Sequence, residues 1–382
     1  MKEFPVDLFP FSLKNPKEKL GKIGVVSSGG GLRGAVITGW LAPLLELMWT
    51  HDIMFHYLAA ASVSAFMMAK LLEARTPADL KGILEHMIMR WNEVEKKGPT
   101  SVFNLSPLKI HLWNAESLLD NKPLWALTNG LDEHKAVASP IPLDIYVTEA
   151  ETKRHMAISN HDPQIRENPF RLKEAMVASA SLPAIFPKAK VGDNFYYDGG
   201  YVSLEGAIRA ECDTIFVLFP YQREYRKPPA KNDFISTHFP TVEIAQMASA
   251  GQLRDRDAVE VKRWKNTLSL WGKNGEKDAV IAKQAREITA LKAALENHLG
   301  GDEEKKNWFK KCFDRLSSFK SLFSEEDKAP AGPTMKIPRI VELYADYSPD
   351  TLQLKDFKPG DITLARERGA EQMKRVLQKL LS

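Results

Sequence analysis

The sequence predicts an α/β fold in which a mostly parallel central sheet is flanked by helices. Three observations point there. Strand patterns alternate with helix patterns from Lys22 to Leu218, the order that lays parallel strands side by side and returns the chain over both sheet faces. The strand candidates Ile23–Val26, Ile53–Ala61 and Thr214–Leu218 are apolar runs with turn or polar residues at their ends. A glycine cluster, Gly29-Gly30-Gly31-Leu32-Arg33-Gly34, joins the first strand to the first helix, and ligands of such sheets bind outside the carboxyl ends of strands.

Residues 1–20 hold three prolines and no apolar h-region, so they read as neither a signal peptide nor a membrane span. After the first strand, Ala35, Val36, Ile37, Leu41, Leu44, Leu45 and Met48 recur at helical spacing over Arg33–Met48. The run Ile53–Ala61 leads into Ser62-Val63-Ser64-Ala65, and Met67, Met68 and Leu71 give a helix over Phe66–Leu72 its buried face. Between Ala74 and Gly130 the pattern is helical, with Leu80, Ile83, Leu84, Met87 and Trp91 on one stripe and a break at Lys97-Gly98-Pro99. Ile141–Val147 is the next strand. Ala175-Met176-Val177-Ala178 is helical and is stopped by Pro183 and Pro187. The aromatic strand Phe195-Tyr196-Tyr197 then runs into Asp198-Gly199-Gly200, and a helix over Glu205–Arg209 precedes the strand Thr214–Leu218. A charged linker, Tyr221–Asp233, opens a helical stretch to about Phe323, and Asp327–Pro333 closes it. A strand, Arg339–Tyr344, and a helix, Asp361–Leu381, finish the chain.

The glycine cluster suits negative charge. Without Cβ atoms the chain can take positive φ and present bare N–H groups, and the following helix adds the positive end of its dipole. The same cluster satisfies G-x-G-x-x-G through Gly29, Gly31 and Gly34, but the dinucleotide reading needs an acidic residue about 20 positions on, at the end of the next strand. Asp52 lies at that distance yet precedes the run Ile53–Ala61, which ends in serines, so an oxyanion loop is favoured. No Gly-Lys-Ser or Gly-Lys-Thr follows, which excludes a Walker A loop. A glycine turn that only lets strand and helix pack closely is the competing structural reading.

A nucleophile elbow sets a serine between a strand and a helix, with small residues two before and two after. Ser64 is the candidate, because the helical pattern starts directly after it. Ser62, with Ala60 and Ser64 as flanks, is the alternative nucleophile, and a helix N-cap serine is the competing structural reading. Asp198, ahead of two glycines, is either a hairpin turn residue or a general base.

Taken in this order, the three landmarks resemble those of the patatin-like phospholipases, acyl ester hydrolases that use a Ser-Asp dyad. The resemblance covers roughly residues 20–220. Gly29–Gly34 match the family's G-G-G-x-R-G loop, with Ser28 at the place often held by an acidic residue. Asp198-Gly199-Gly200 match its D-G-G/A motif, and Ala178-Ser179-Ala180-Ser181-Leu182-Pro183 to Phe186-Pro187 resembles the usual approach to it. At the elbow the family's serine maps to Ser64 and its glycines become Ser62 and Phe66. The resemblance implies a patatin-like three-layer α/β/α fold, a Ser64–Asp198 dyad, and an oxyanion hole drawn from Gly29, Gly30, Gly31, Leu32, Arg33 and Gly34. It also implies no cofactor, and phospholipid or another lipid ester as substrate, cleaved in the manner of a phospholipase A or lysophospholipase. Because relatives commonly finish with a strand and a helix, residues 1–382 read as one patatin-like domain, with core 20–220 plus 336–382 and a helical insertion at about 221–335. The replaced elbow glycines make a catalytically impaired relative acting in lipid binding the alternative expectation.

The 382 residues are 44% hydrophobic and 27% charged, which indicates a soluble globular chain. A net charge of +4, a pI near 8.7 and the lack of a basic stripe with interleaved aromatics argue against nucleic acid. Cys212 and Cys312 share no metal or redox spacing, and none of the nine histidines falls into a paired ligand spacing, so no metal is expected. With no run of 18 or more apolar residues the expected location is cytoplasmic. Within the insertion, 303–323 sets Trp308, Phe309, Cys312, Phe313, Leu316, Phe319 and Phe323 against Lys305, Lys306, Lys310, Lys311, Arg315 and Lys320. Such a helix either caps the protein's own core or lies in an anionic membrane interface, and the second reading predicts transient peripheral membrane contact.

Overall fold

Apolar runs that form strands need neighbours for every backbone N–H and C=O, and here they find them in one mixed sheet. The computed structural model describes residues 15–98, 104–105, 117, 119–183, 185–221, 338–345 and 360–382. The chain divides into two units, Met1–Lys262 with Pro338–Ser382 and Arg263–Ile337, and all the described residues belong to the first. The predicted helical insertion and the amphipathic segment 303–323 lie outside the described residues, apart from Tyr221.

In chain order the strands are β1 (Ile23–Ser27), β2 (Phe55–Ala61), β3 (Asn104–Leu105), β4 (Leu119–Asp120), β5 (Leu143–Glu149), β6 (His155–Ser159), β7 (Ala189–Val191), β8 (Asn194–Asp198), β9 (Thr214–Phe219) and β10 (Arg339–Tyr344). The helices are α1 (Pro16–Leu20), α2 (Gly34–Thr50), α3 (Val63–Leu71), α4 (Asp79–Lys97), α5 (Lys122–Leu127), α6 (Glu133–Val137), α7 (Pro163–Glu167), α8 (Phe170–Ser179), α9 (Glu205–Arg209) and α10 (Asp361–Leu381). The main sheet runs β10-β9-β1-β2-β5-β8-β7, with β6 also on β5, and β3 pairs with β4 apart from it. From β10 to β5 every pairing is parallel, while β6, β8 and β7 are antiparallel. The predicted mostly parallel α/β architecture is therefore present, with antiparallel strands confined to one side.

Alternation decides which face each side chain meets. Ile23, Val25, Leu58, Ala60, Leu143 and Ile145 enter the main core shared with α2, α4, α8 and α10. Gly24 faces the other way, where a Cβ would stand 2.9 Å from Cys212 Sγ and 3.4 Å from Ala207 of α9. All five predicted stripe residues of α4 are buried. The strand expected from Ile141 begins instead at Leu143, because Pro142 has no N–H for a ladder and contributes its carbonyl, which accepts from Leu58 N at 2.9 Å.

The register of β5 has the largest consequence. Ile145 pairs with both Ala60 and Ile158, and Val147 with both Asp198 and Met156, so β6 lies along one edge of β5. The other edge is shared end to end: β2 occupies it up to Ala61, opposite Tyr146, and β8 takes over from Asp198, opposite Val147. The chain leaving β2 therefore turns aside where the carboxyl end of β8 arrives.

Candidate active site

That turn is made by Ser62. It has φ 58° and ψ −135°, a left-handed backbone that a residue with a side chain adopts at a cost of about 1–3 kcal/mol, and such strain collects at functional sites. Its N–H donates to Ser179 Oγ at 2.8 Å, and that hydroxyl donates in turn to Tyr146 O at 2.7 Å, so Ser179 pins the strained turn to β5. The bend throws the Ser62 side chain toward the glycine cluster. A Cβ on Gly29 would come within 2.4 Å of Ser62 Cβ, so glycine is required there by closeness.

Asp198 meets the same place from β8. Its backbone N–H donates to Ser181 O at 2.9 Å, and a Cβ on Gly199 would lie 2.3 Å from Tyr146 C, so Gly199 lets the chain pass against β5. Asp198 Oδ1 accepts the Gly200 N–H at 2.7 Å, while Oδ2 is buried without a conventional hydrogen bond. Burial pushes the carboxyl up to about 7, and the Gly200 N–H and the facing Ser62 hydroxyl pull the other way. The Asp-Gly pair does not make the β8 hairpin; that turn lies earlier, at Gly192, between β7 and β8.

The structure brings Asp198 to Ser62 and not to Ser64, and this reverses the preference drawn from the sequence. Ser64 is 0% exposed against 8% for Ser62. Its Oγ lies 2.8 Å from Ser27 O and 2.7 Å from Ala61 O as a donor, and accepts the Ala61 N–H at 3.1 Å. Ser64 thus ties the end of β1 to the end of β2. The mapping of the elbow moves with it: the residues flanking Ser62 at two removes are Ala60 and Ser64, both small. Phe66 lies one turn into α3, away from the bend.

The glycine loop follows β1 directly. Gly31–Arg33 form a single 3₁₀ turn, with Gly31 at φ 56°. The Arg33 N–H donates to Gly30 O at 3.1 Å, and the Gly34 N–H is taken by the carbonyls of Gly31 and Leu32. The expected donor set of Gly29 to Gly34 is narrowed accordingly: Arg33 and Gly34 spend their N–H groups inside the turn, which leaves those ahead of them. Among the described residues no group of three or more His, Cys, Asp or Glu side chains is placed to hold a metal ion.

A cavity of about 130 Å³ adjoins the bend, lined there by Gly31 and Ser62 and beyond by Phe66, Met67, Trp91 and Phe186. Its apolar walls suit a hydrocarbon chain. A second cavity, about 500 Å³ and lined by His134, Ser139, His161 and Arg166, shares none of these residues.

With this geometry in view, residues 25–205 match the family described as patatin-like phospholipase. This stretch is a patatin-like phospholipase domain. It spans the glycine loop, the bend at Ser62 and Asp198. VipD from Legionella pneumophila, known from a crystal structure, is similar over 94% of this chain and 67% of its own, at 13% identity and a TM-score of 0.38. No curated protein matches the sequence. The patatin-like domain also gives Ser179 a task that its sequence context did not announce, since a hydrogen bond reaching across 117 residues leaves no local pattern.

Proposed function

We propose that the patatin-like domain hydrolyses carboxylic esters of lipids, as a phospholipase A or lysophospholipase does, with Ser62 as nucleophile and Asp198 as general base. The observation that carries this reading is the Asp198 carboxylate, whose Oδ2 is buried, lacks a conventional hydrogen bond and faces the hydroxyl of a serine held in a strained turn. Ser62 Oγ attacks the ester carbonyl carbon as its proton passes to Asp198 Oδ2. The N–H groups of Gly30 and Gly31, with that of Val63 at the start of α3, are the donors offered to the tetrahedral oxyanion. Collapse breaks the C–O bond to the alcohol, which leaves with the proton from Asp198. Water then attacks the acyl-serine, again giving its proton to Asp198, and the fatty acid departs with Ser62 restored.

A carboxylate at its ordinary pKa of about 4 is a poor base at neutral pH. Raised to about 7, Asp198 is a stronger base and is still half ionised near neutrality. The expectation of an impaired relative rested on elbow glycines replaced by Ser62 and Phe66. With Ser62 as the proposed nucleophile the flanking residues are instead Ala60 and Ser64, which are compatible with a tight turn.

Fluorophosphonate labelling followed by mass-spectrometric location of the adduct tests the assignment. The adduct is expected on Ser62, absent in Ser62→Ala and retained in Ser64→Ala. An adduct on Ser64, or no labelling of the full chain, overturns it. No helix among the described residues is long and apolar enough to cross a membrane. Segment 303–323 is accordingly proposed, on its sequence, as the transient contact that brings the enzyme to a lipid surface from the cytoplasm. Vesicle co-sedimentation that is unchanged by Trp308→Ala with Phe313→Ala would reject that contact.

A further inference from the structure

The cavity beside Ser62 runs along α3. Val63, Phe66, Met67 and Lys70 form one face of α3, spaced as helix neighbours are, and all four line it. Since α3 starts directly after Ser62, Lys70 stands roughly 12 Å along the helix axis from the bend. The facing walls carry the apolar side chains of Met87, Trp91 and Val94 from α4 and of Leu124 from α5, while His86, Arg90 and Asn129 join Lys70 as the polar part of the lining.

At Lys70 the wall changes character. Lys70 Nζ holds both oxygens of Glu73 at 2.8 Å and the Gly130 carbonyl at 2.5 Å, and Glu73 Oε1 also accepts the Asp132 N–H at 2.9 Å. From α4, Arg90 holds Glu93 at 2.7 Å and the Ala126 carbonyl at 3.0 Å. Lys70 and Arg90, each paired with the glutamate three residues on, thus reach the Gly130 and Ala126 carbonyls, and these bonds, with that of Glu73 to the Asp132 N–H, tie α3 and α4 to α5 and the turn after it as a polar collar on the passage.

We propose that this passage receives the acyl chain of the substrate and that the collar ends it after on the order of ten carbons, so that the enzyme favours medium-length acyl groups. The proposal rests on Ser62 marking the reacting end. Each methylene placed beside Phe66, Met67 and Trp91 leaves water for an apolar wall, whereas one pushed past Lys70 meets paired ionic groups and gains little.

Binding of saturated fatty acids of about six to about sixteen carbons to the full chain carrying Ser62→Ala, followed by calorimetry, tests the length limit without needing turnover. Affinity should rise about tenfold for every two added methylenes up to roughly ten carbons and then level off. A rise that continues to the longest acid, or no dependence on length, overturns the proposal. In Lys70→Met with Glu73→Gln the levelling point should move to longer acids, and binding of the longest should tighten by at least about threefold. An unmoved levelling point in a folded variant removes the collar as its cause, and if that variant does not fold the length series on Ser62→Ala still decides. The two readings fail differently. A wrong length limit leaves Ser62 labelled by fluorophosphonate, and a wrong nucleophile leaves the length series intact.

Discussion

Ser62 and Ser64 stand on either side of Val63 in the same turn, and their surroundings could hardly differ more. Ser64 has its hydroxyl fully used, between two carbonyls and an N–H, inside the protein. Ser62 has a strained backbone and a hydroxyl facing a carboxylate. A side chain that satisfies every bond within the fold has nothing left for a substrate, whereas one held in strain against an under-bonded acid is, on the proposed function, the group that reacts. The contrast also separates stability from activity within one turn.

The sharpest way to break it is to remove the Ser62 hydroxyl. Ser62→Ala should lower kcat/KM on a lipid ester by about a thousandfold or more, and Ser62→Gly should do the same while raising stability by about 1 kcal/mol, because glycine tolerates positive φ. Both effects are read from initial rates and denaturant melts. Equal stability of the alanine and glycine variants would mean that the turn stores no strain.

Asp198→Asn should cost nearly as much activity and change the pH response. The carboxyl is raised to about 7 in the folded protein from about 4 in the unfolded chain, so the native state holds the extra proton in between. Its contribution to stability is full below about pH 4 and is lost as pH rises through 7. The asparagine variant, which has no such loss, should therefore melt higher than the wild type at pH 8, with the gap closing toward pH 5. For the wild type, kcat/KM should climb with pH to a midpoint near 7 as the base ionises. A midpoint near 4 would remove Asp198 as the base.

Smaller effects sharpen the contrast. Ser179→Ala frees the Ser62 N–H and the Tyr146 carbonyl, and should slow kcat/KM by about ten- to a hundredfold through misplacement of the nucleophile, with the rate of fluorophosphonate labelling falling in step. Ser64→Ala should do the reverse of Ser62→Ala: a loss of about 1–3 kcal/mol in denaturant melts from the stranded Ala61 N–H, with activity kept within about tenfold.

Much of this was legible in the sequence, and the gaps have physical causes. The strands at 23, 55, 214 and 339 and the helices at 34, 79 and 361 announced themselves because burial on a packed layer imposes a period. β6 and β7 did not: β6 is half-buried with no strong alternation, and β7, although it alternates, is only three residues long. The glycine loop was found as a loop, but which N–H groups it keeps depends on a 3₁₀ turn that composition does not specify. The preference for Ser64 came from reading the start of the apolar pattern as the start of the helix. Periodicity reports where side chains are buried, and α3 begins at Val63, one residue after the backbone reverses. A serine at positive φ carries no local mark, since glycine is the residue that normally advertises such a bend.

The junction of β2 and β8 on one edge of β5 has a bearing on how the protein comes into being. The alcohol follows one strand and the acid ends another, made long after it, and the two strands are laddered to the same edge of a third. A half-assembled chain holds both groups and can use neither. On the proposed function, the chain is thereby silent during its own synthesis and gains its bite at the moment its architecture closes.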